Sequence, residues 1–169
     1  MTFEQEINDL EFLKYDKDYI IEKGNIPILF TAPHTMDQVR EDGSIKLSEP
    51  YTKAIALYLN KHFNVNSMIK IKDTGLDANK DNRDEFKLEL LRFIRDNDIK
   101  LVIDLHGSKK SRDFDIEFGT LNNLSVDFST IKELEEAFSE NGINNIKNIQ
   151  KIVKSLENFI NQYKKYINR

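Results

Sequence analysis

The chain has 169 residues, of which 39% are hydrophobic and 32% charged, a composition typical of one globular domain with a hydrophobic core. Its net charge of -4 argues against a nucleic-acid partner, and the absence of cysteine excludes disulfides and thiolate metal ligands. The acidic N-terminus does not resemble a signal peptide, and no apolar run approaches the ~20 residues of a membrane span. We therefore expect a cytoplasmic protein that does not associate with membranes.

The first elements are predicted to be strands. Residues 11–24 suggest two short strands around a turn, and Ile28 to Thr31 form an apolar run typical of a buried strand. This strand stops at Pro33, and His34 follows directly. Residues 35–49 are polar and predict a loop. A helix is then expected to begin near Ser48, which is a good N-cap residue; Tyr51, Ile55, Tyr58, Leu59 and His62 share one of its faces.

Strands and helices alternate through the rest of the chain. Strands are predicted over 66–72, 99–104 and 114–120, a polar loop over 73–85, and helices over 85–98 and 129–142, the last with Ser129 as its N-cap. The inner face of the helix over 85–98 comprises Phe86, Leu90, Phe93 and Ile94. This order predicts a single α/β domain over 1–169, with three layers, α/β/α, and a mostly parallel mixed sheet.

The C-terminal segment has a different pattern. Apolar residues recur every three or four positions from Ile146 to Ile167, which predicts an amphipathic helix over 146–169. Its polar face carries six lysines and arginines. Such a face can bind a membrane surface or an acidic partner, but a helix packed on the sheet explains the pattern more simply.

Two of the three histidines follow predicted strands. His34 comes after "ILFTAP" and His106 after "VIDL", and ligands of open α/β sheets bind beyond the carboxyl ends of the strands. If the two strands are neighbours, both imidazoles could bind one metal ion together with a carboxylate, either Asp37 or Glu49. Asp104 lies two residues before His106 on the same side of an extended chain and could orient its ring. His62 lies within a helix and is expected to be structural or exposed.

Loop arginines are candidate receptors for a substrate carboxylate. Arg40, Arg83 and Arg112 lie in predicted loops, and a guanidinium can bond both oxygens of a carboxylate. Surface ion pairs explain each of them more simply, since acidic neighbours flank Arg40 and Arg83. The chain has no phosphate-binding glycine loop, no serine-nucleophile elbow and no cysteine nucleophile. A metal-activated water is therefore the simplest nucleophile.

Three blocks of the sequence, "ILFTAPHTMDQVREDGSIKLSEPYT", "DTGLDANKDNRDEFKLELLRFI" and "LVIDLHGSKKSRDFDIEFGT", together resemble the N-formylglutamate amidohydrolase-like family. That family belongs with the zinc-dependent exopeptidases. The resemblance implies a zinc-exopeptidase-like (phosphorylase/hydrolase-like) fold and a Zn²⁺ ion held by His34, Glu49 and His106. It also implies hydrolysis of an N-acylated amino acid, a small substrate with a carboxylate that Asn79 and Arg83 would contact.

The C-terminal segment departs from that family. Family members add a late strand whose glutamate is of the kind that acts as general base, whereas this chain has Tyr166 near that position. General-base catalysis typically contributes ~10²–10⁴-fold to the rate. Glu117 is an alternative base within the chain. The departure leaves two hypotheses, a zinc amidohydrolase and an inactive derivative of the family that acts by binding.

Overall fold

The computed structural model describes residues 1–120 and 124–149, which include four helices and eight strands. The chain divides into two compact units, the first over Met1–Ser108 and the second beginning at Lys109. That they form one domain stays a prediction. Among the described helices, none has the length and apolar character needed to cross a bilayer. In chain order the first unit contains α1 (Phe3–Phe12), β1 (Tyr19–Glu22), β2 (Ile26–Ala32), β3 (Gln38–Val39), β4 (Ile45–Lys46), α2 (Thr52–Phe63), β5 (Val65–Lys70), α3 (Glu85–Asp96) and β6 (Leu101–Asp104).

The first unit is built on a four-stranded sheet with the strand order β1-β5-β2-β6. Strands β5, β2 and β6 run parallel, and β1 pairs with β5 in the antiparallel direction. This confirms the predicted α/β class and the mostly parallel mixed sheet. Because β2 and β6 are parallel neighbours, with Thr31 opposite Asp104, the segments that follow these two strands leave the sheet at the same edge.

Apolar side chains cover both faces of this sheet, because successive side chains of a strand point to opposite faces and β5 carries apolar side chains on each side. Neighbouring residues of β5 divide between the faces: Ile69 packs with Ala56 and Leu57 of α2, whereas Met68 packs with Phe86 and Phe93 of α3. The predicted inner face of α3 is therefore confirmed. Helices on both sides of the sheet make the first unit three-layered.

The first helix, α1, differs from the predicted elements. The sequence predicted a strand from Glu11, but α1 continues through Phe12 and strand structure begins only at Tyr19. A capping box starts the helix, since the Thr2 side chain accepts from the Gln5 N–H and the Gln5 side chain accepts from the Thr2 N–H. The missed helix thus had a sequence signal at its N-terminus.

Helix α2 begins at Thr52, later than predicted. Its N-cap is Tyr51, with φ of 66° and no side-chain cap, and the Ser48 N–H instead donates to Asp37. On the face predicted from Tyr51 to His62, Tyr51 and Ile55 are exposed, whereas Tyr58 and Leu59 are half-buried. Small side chains, Ala54 and Ala56, are fully buried instead, so the apolar spacing of the larger residues was a poor guide to the packed face.

A buried ion pair joins β5 to the loop that follows it. The Lys70 ammonium at the end of β5 contacts Asp84 and donates to the Leu76 carbonyl at 2.7 Å. Thr74 Oγ1 also donates to Asp84, at 3.0 Å. Asp84 is the N-cap of α3, so this one carboxylate connects the sheet, the loop and the helix. The pair therefore fixes both ends of the loop over residues 71–84 beside the carboxyl edge of the sheet.

The second unit contains β7 (Ile116–Gly119), α4 (Phe128–Glu140) and β8 (Ile146–Ile149). Strands β7 and β8 pair in parallel, with α4 between them in sequence. Helix α4 is capped by Asp127, to which Ser129 donates, so the predicted N-cap Ser129 is two residues too late. The amphipathic helix predicted over 146–169 does not begin at Ile146, where a strand forms. Its remainder, residues 150–169, lies outside the described residues.

Candidate metal centre

The two strand-end histidines converge, as the parallel arrangement predicted. Pro33 and His34 continue directly from β2, and His106 lies two residues after β6. Their ring centroids are 5.3 Å apart. The His34 side chain is buried, whereas the His106 side chain is 37% exposed. The pair thus has one protected member and one at the surface, where a small molecule could reach it.

Glu49 completes a three-residue cluster. The Glu49 N–H donates to the His34 carbonyl at 2.7 Å, which brings the end of the long loop back to the strand edge. Its Oε2 accepts from the Gly107 N–H at 3.1 Å and lies 3.0 Å from His106 Nδ1. One ligand atom from each of His34, Glu49 and His106 lies within 4.8 Å of the others. The structure therefore assembles the predicted ligand set around one small volume.

The spacing of these atoms can be compared with a tetrahedral zinc shell. Ligands about 2.0–2.1 Å from zinc at tetrahedral angles lie roughly 3.3 Å apart. The 3.0 Å between Glu49 Oε2 and His106 Nδ1 is close to that value. The 4.8 Å limit of the cluster requires a closing movement of at most about 1.5 Å. Two nitrogens and one carboxylate oxygen are a donor set that zinc accepts, and three ligands leave a position for water.

The charges of the cluster also suit a cation. Burial lowers the pKa of His34, even though Glu49 and Asp77 act in the opposite direction, so its imidazole is neutral and able to bind a metal. Burial disfavours the Glu49 carboxylate, but hydrogen bonds from His106, Lys46 and Gly107 outweigh that effect and lower its pKa to about 2. Glu49 is therefore ionised at neutral pH.

His106 has two carboxylate partners. Burial disfavours its charged form, but Asp104 and Glu49 outweigh burial and raise the pKa of His106 to about 10. Its Nδ1 faces Glu49, while its Nε2 lies 2.9 Å from Asp104 Oδ2. Asp104 is itself held by the Thr31 hydroxyl, which donates to Oδ1 at 2.6 Å. Asp104 can therefore orient the ring, the role that the sequence suggested, and this contact leaves Nδ1 for a metal.

Asp77 lies near His34 Nε2, and Arg40 pairs with Asp77. Asp77 Oδ1 is 3.8 Å from His34 Nε2, and Arg40 donates through Nε and Nη2 to Asp77 Oδ2 at 3.2 and 3.0 Å. Burial disfavours the Asp77 carboxylate, but the Asn79 N–H and Arg40 outweigh it and keep its pKa below the usual value. Arg40 thus has a protein carboxylate as its partner.

The other predicted contacts of the loop over 71–84 have mixed outcomes. Asn79 Nδ2 lies 3.2 Å from His106 Nε2, which places an exposed amide beside the cluster. Arg83 donates instead to Asp81 and to Glu41, the latter at 2.7 Å, and its side chain is exposed. A substrate carboxylate at Arg83 would have to compete with these two acids.

Three predicted residues have other contacts. Asp37 Oδ1 accepts from the Ser48 N–H at 2.7 Å, and Asp37 is not part of the three-residue cluster, so Glu49 is the carboxylate that the structure brings to the histidines. Arg112 and Glu117 lie in the second unit, with Nη1 of the arginine 3.8 Å from Oε2 of the glutamate. Their roles as substrate contact and general base stay predictions.

Sequence reasoning missed the polar residues that support the ligands. Gln38 is buried with Oε1 3.2 Å from His34 Nδ1, the Lys46 ammonium contacts Glu49 Oε1, and Asp77 faces His34. Asp77 lies inside the block "DANKDNR", so it carried a sequence signal. Gln38 and Lys46 lie on the short strands β3 and β4, in a segment predicted to be a loop, and no pattern marked them.

Comparisons of this chain with protein-family models, with curated proteins and with solved structures found no match. The site therefore stands on its own geometry.

Proposed function

We propose that this protein is a zinc-dependent amidohydrolase that acts on an N-acylated amino acid, such as N-formylglutamate, by means of a metal-activated water. The observation that carries the proposal is the convergence of His34, Glu49 and His106 at the carboxyl edge of a parallel sheet, with His106 partly exposed. The resemblance of the sequence to the N-formylglutamate amidohydrolase-like family supplies the reaction and a zinc-exopeptidase-like fold.

The residues have distinct roles in this proposal. His34, Glu49 and His106 hold the ion, and Asp104 orients the His106 ring through Nε2. When bound, zinc polarises the substrate carbonyl and lowers the pKa of its water to about 7. Asn79, whose amide lies beside His106, is the best-placed contact for the substrate.

A metal-binding protein without turnover is the second candidate. The observation that favours it is that the two predicted carboxylate-binding arginines of the first unit already have acidic partners, Arg40 with Asp77 and Arg83 with Asp81 and Glu41. In this form the chain keeps the ligand cluster but binds a substrate carboxylate poorly.

Zinc content and glutamate release together test the proposal. Protein expressed with zinc should hold one equivalent and release glutamate from N-formylglutamate, and His106→Ala should lose both properties. His62→Ala is the matched control, because His62 lies on α2 and contacts Glu6, 2.9 Å away, outside the cluster.

The outcomes separate the candidates. Bound zinc without release of glutamate from any acylated amino acid would favour the second candidate. A parent protein without zinc, or glutamate release that survives His106→Ala, would refute the proposed mechanism.

A further inference from the structure

The short strands β3 and β4 form an antiparallel ribbon between two ligands of the candidate metal centre. Gln38 pairs with Lys46, and Val39 with Ile45. A turn closes the ribbon, with the Arg40 N–H donating to the Ser44 carbonyl at 2.9 Å. His34 lies four residues before Gln38 and Glu49 three residues after Lys46, so the ribbon begins and ends beside the cluster.

One cross-strand pair of the ribbon contacts both ligands. Gln38 Oε1 is 3.2 Å from His34 Nδ1, and the Lys46 ammonium contacts Glu49 Oε1. The ribbon is also tied to the loop over 71–84, because the Val39 N–H donates to Asp73 at 2.9 Å. These contacts fix the position of the Gln38 backbone relative to His34.

Gln38 is buried in an unusual way for an amide side chain. It is only 1% exposed, and its Nε2 has no hydrogen-bond partner among the described residues. An unpaired buried N–H destabilises a fold, so an apolar side chain would suit this position better if packing alone mattered. The contact that the amide does make, from Oε1 to the His34 ring, is the one that bears on the cluster.

We propose that Gln38 is a positioning residue that holds His34 with its hydrogen on Nδ1 and thereby makes Nε2 the metal-binding atom. A neutral imidazole has one N–H and one lone pair, and the hydrogen bond of the first nitrogen decides which nitrogen binds the metal. A carbonyl oxygen can only accept, so Nδ1 must carry the hydrogen in this contact. His34 Nε2 is 3.8 Å from Asp77, beyond hydrogen-bond distance, so its lone pair is available.

This inference rests on the metal site of the proposed function but not on catalysis. Loss of a polar partner behind a ligand histidine typically weakens metal binding about 10- to 100-fold. Gln38→Met, which removes the acceptor at similar size, should weaken zinc binding by that factor in competition with a chelator. Gln38→Glu keeps an acceptor and should retain zinc affinity within about tenfold. Val39→Thr is the control, because Val39 is the exposed neighbour on the same strand and should leave affinity unchanged.

Nitrogen-15 NMR of the His34 ring gives a second readout that needs no metal. The metal-free parent should show the hydrogen on Nδ1, and Gln38→Met should lose that preference while keeping its far-UV circular dichroism. A zinc-loaded parent that binds through Nδ1, or a folded Gln38→Met protein with parental zinc affinity, would overturn the inference. If the parent binds no zinc, the proposed function fails, and the metal-free ring spectra still decide the role of Gln38: a hydrogen on Nε2 in the parent refutes it.

Discussion

Removal of the Lys70 ammonium should destabilise the first unit strongly. The Lys70 and Asp84 side chains are 1% and 0% exposed, so Lys70→Met leaves a carboxylate in the interior without its cation. Breaking a buried pair by removing one partner costs about 3–5 kcal/mol. Asp84 keeps the Thr74 hydroxyl and the Lys87 N–H as donors, which places the expected loss near the lower end, about 3 kcal/mol.

That loss is large compared with the total stability of a domain, about 5–15 kcal/mol. Urea denaturation followed by far-UV circular dichroism measures it, since a lower midpoint with an unchanged slope reports a change in stability. Lys100→Met is the matched control. Lys100 contacts Asp98 at 2.5 Å, but its side chain is 65% exposed, and exposed pairs contribute under about 1 kcal/mol.

A double variant shows whether the ion pair itself is responsible. Asp84→Asn keeps a side chain that can cap α3, so the double variant Lys70→Met/Asp84→Asn has no uncompensated charge at this position. It should recover at least about 1–2 kcal/mol relative to Lys70→Met, because the desolvated charge is gone. The reasoning is refuted if Lys70→Met costs no more than Lys100→Met, or if Asp84→Asn adds its full cost to that of Lys70→Met.

Three further changes test the close contacts and the charges of the site. Gly24→Ala places a Cβ 2.1 Å from the Asn64 carbonyl oxygen, so the free energy of unfolding, measured by thermal denaturation, should fall by about 3 kcal/mol. A fall of less than about 1 kcal/mol would show that the backbone there is not so closely packed. Gly107→Ala places a Cβ 3.0 Å from the Glu49 Cβ, which should displace the carboxylate and weaken zinc binding ~10-fold in a chelator titration. Parental zinc affinity would show that the Glu49 side chain can shift without loss of the metal site. In the metal-free protein the pKa of His106 is raised to about 10, so its protonated form stabilises the fold fully below pH 6.5. This stabilisation is lost as the pH rises towards 10. The pKa of Glu49 is lowered to about 2, so its ionised form stabilises the fold fully above pH 4.5, and this stabilisation is lost as the pH falls towards 2. Urea midpoints should thus decline on both sides of pH 4.5–6.5, and His106→Asn should flatten the alkaline decline; a parallel decline in that variant would exclude His106 as its source.

The positions of the two histidines could be predicted from the sequence because they depend on a general property of α/β sheets. Each histidine follows an apolar strand, and parallel strands end at a common edge. Only the pairing of β2 with β6 remained open, and the register of Thr31 with Asp104 is the fact that brings the rings within 5.3 Å. The sequence also favoured Glu49 over Asp37, although only through the family resemblance.

The supporting residues could not be predicted in the same way. Gln38 and Lys46 lie on two paired strands of two residues each, which are too short to show strand alternation. Asp77 approaches His34 from a loop 43 positions away in the sequence. The start of α2 was misplaced for a different reason. Its N-cap Tyr51 has a left-handed backbone conformation, which a tyrosine adopts only when its surroundings impose it, and such positions carry no local sequence signal.

An ordinary ion-pair cluster and a metal centre differ in how their charges are balanced. Without a metal, the carboxylates of Glu49 and Asp104 are matched by the Lys46 ammonium and a protonated His106. A dedicated ion pair needs neither a buried neutral imidazole nor a third donor aimed at the same volume, yet His34 supplies both. If zinc displaces the His106 proton, the net charge of this group rises by only one unit, Glu49 contacts the cation as well as Lys46, and Asp104 keeps its contact with the His106 ring. The described residues therefore form a group that could hold a divalent cation, and it includes a ligand that an internal ion pair alone does not require.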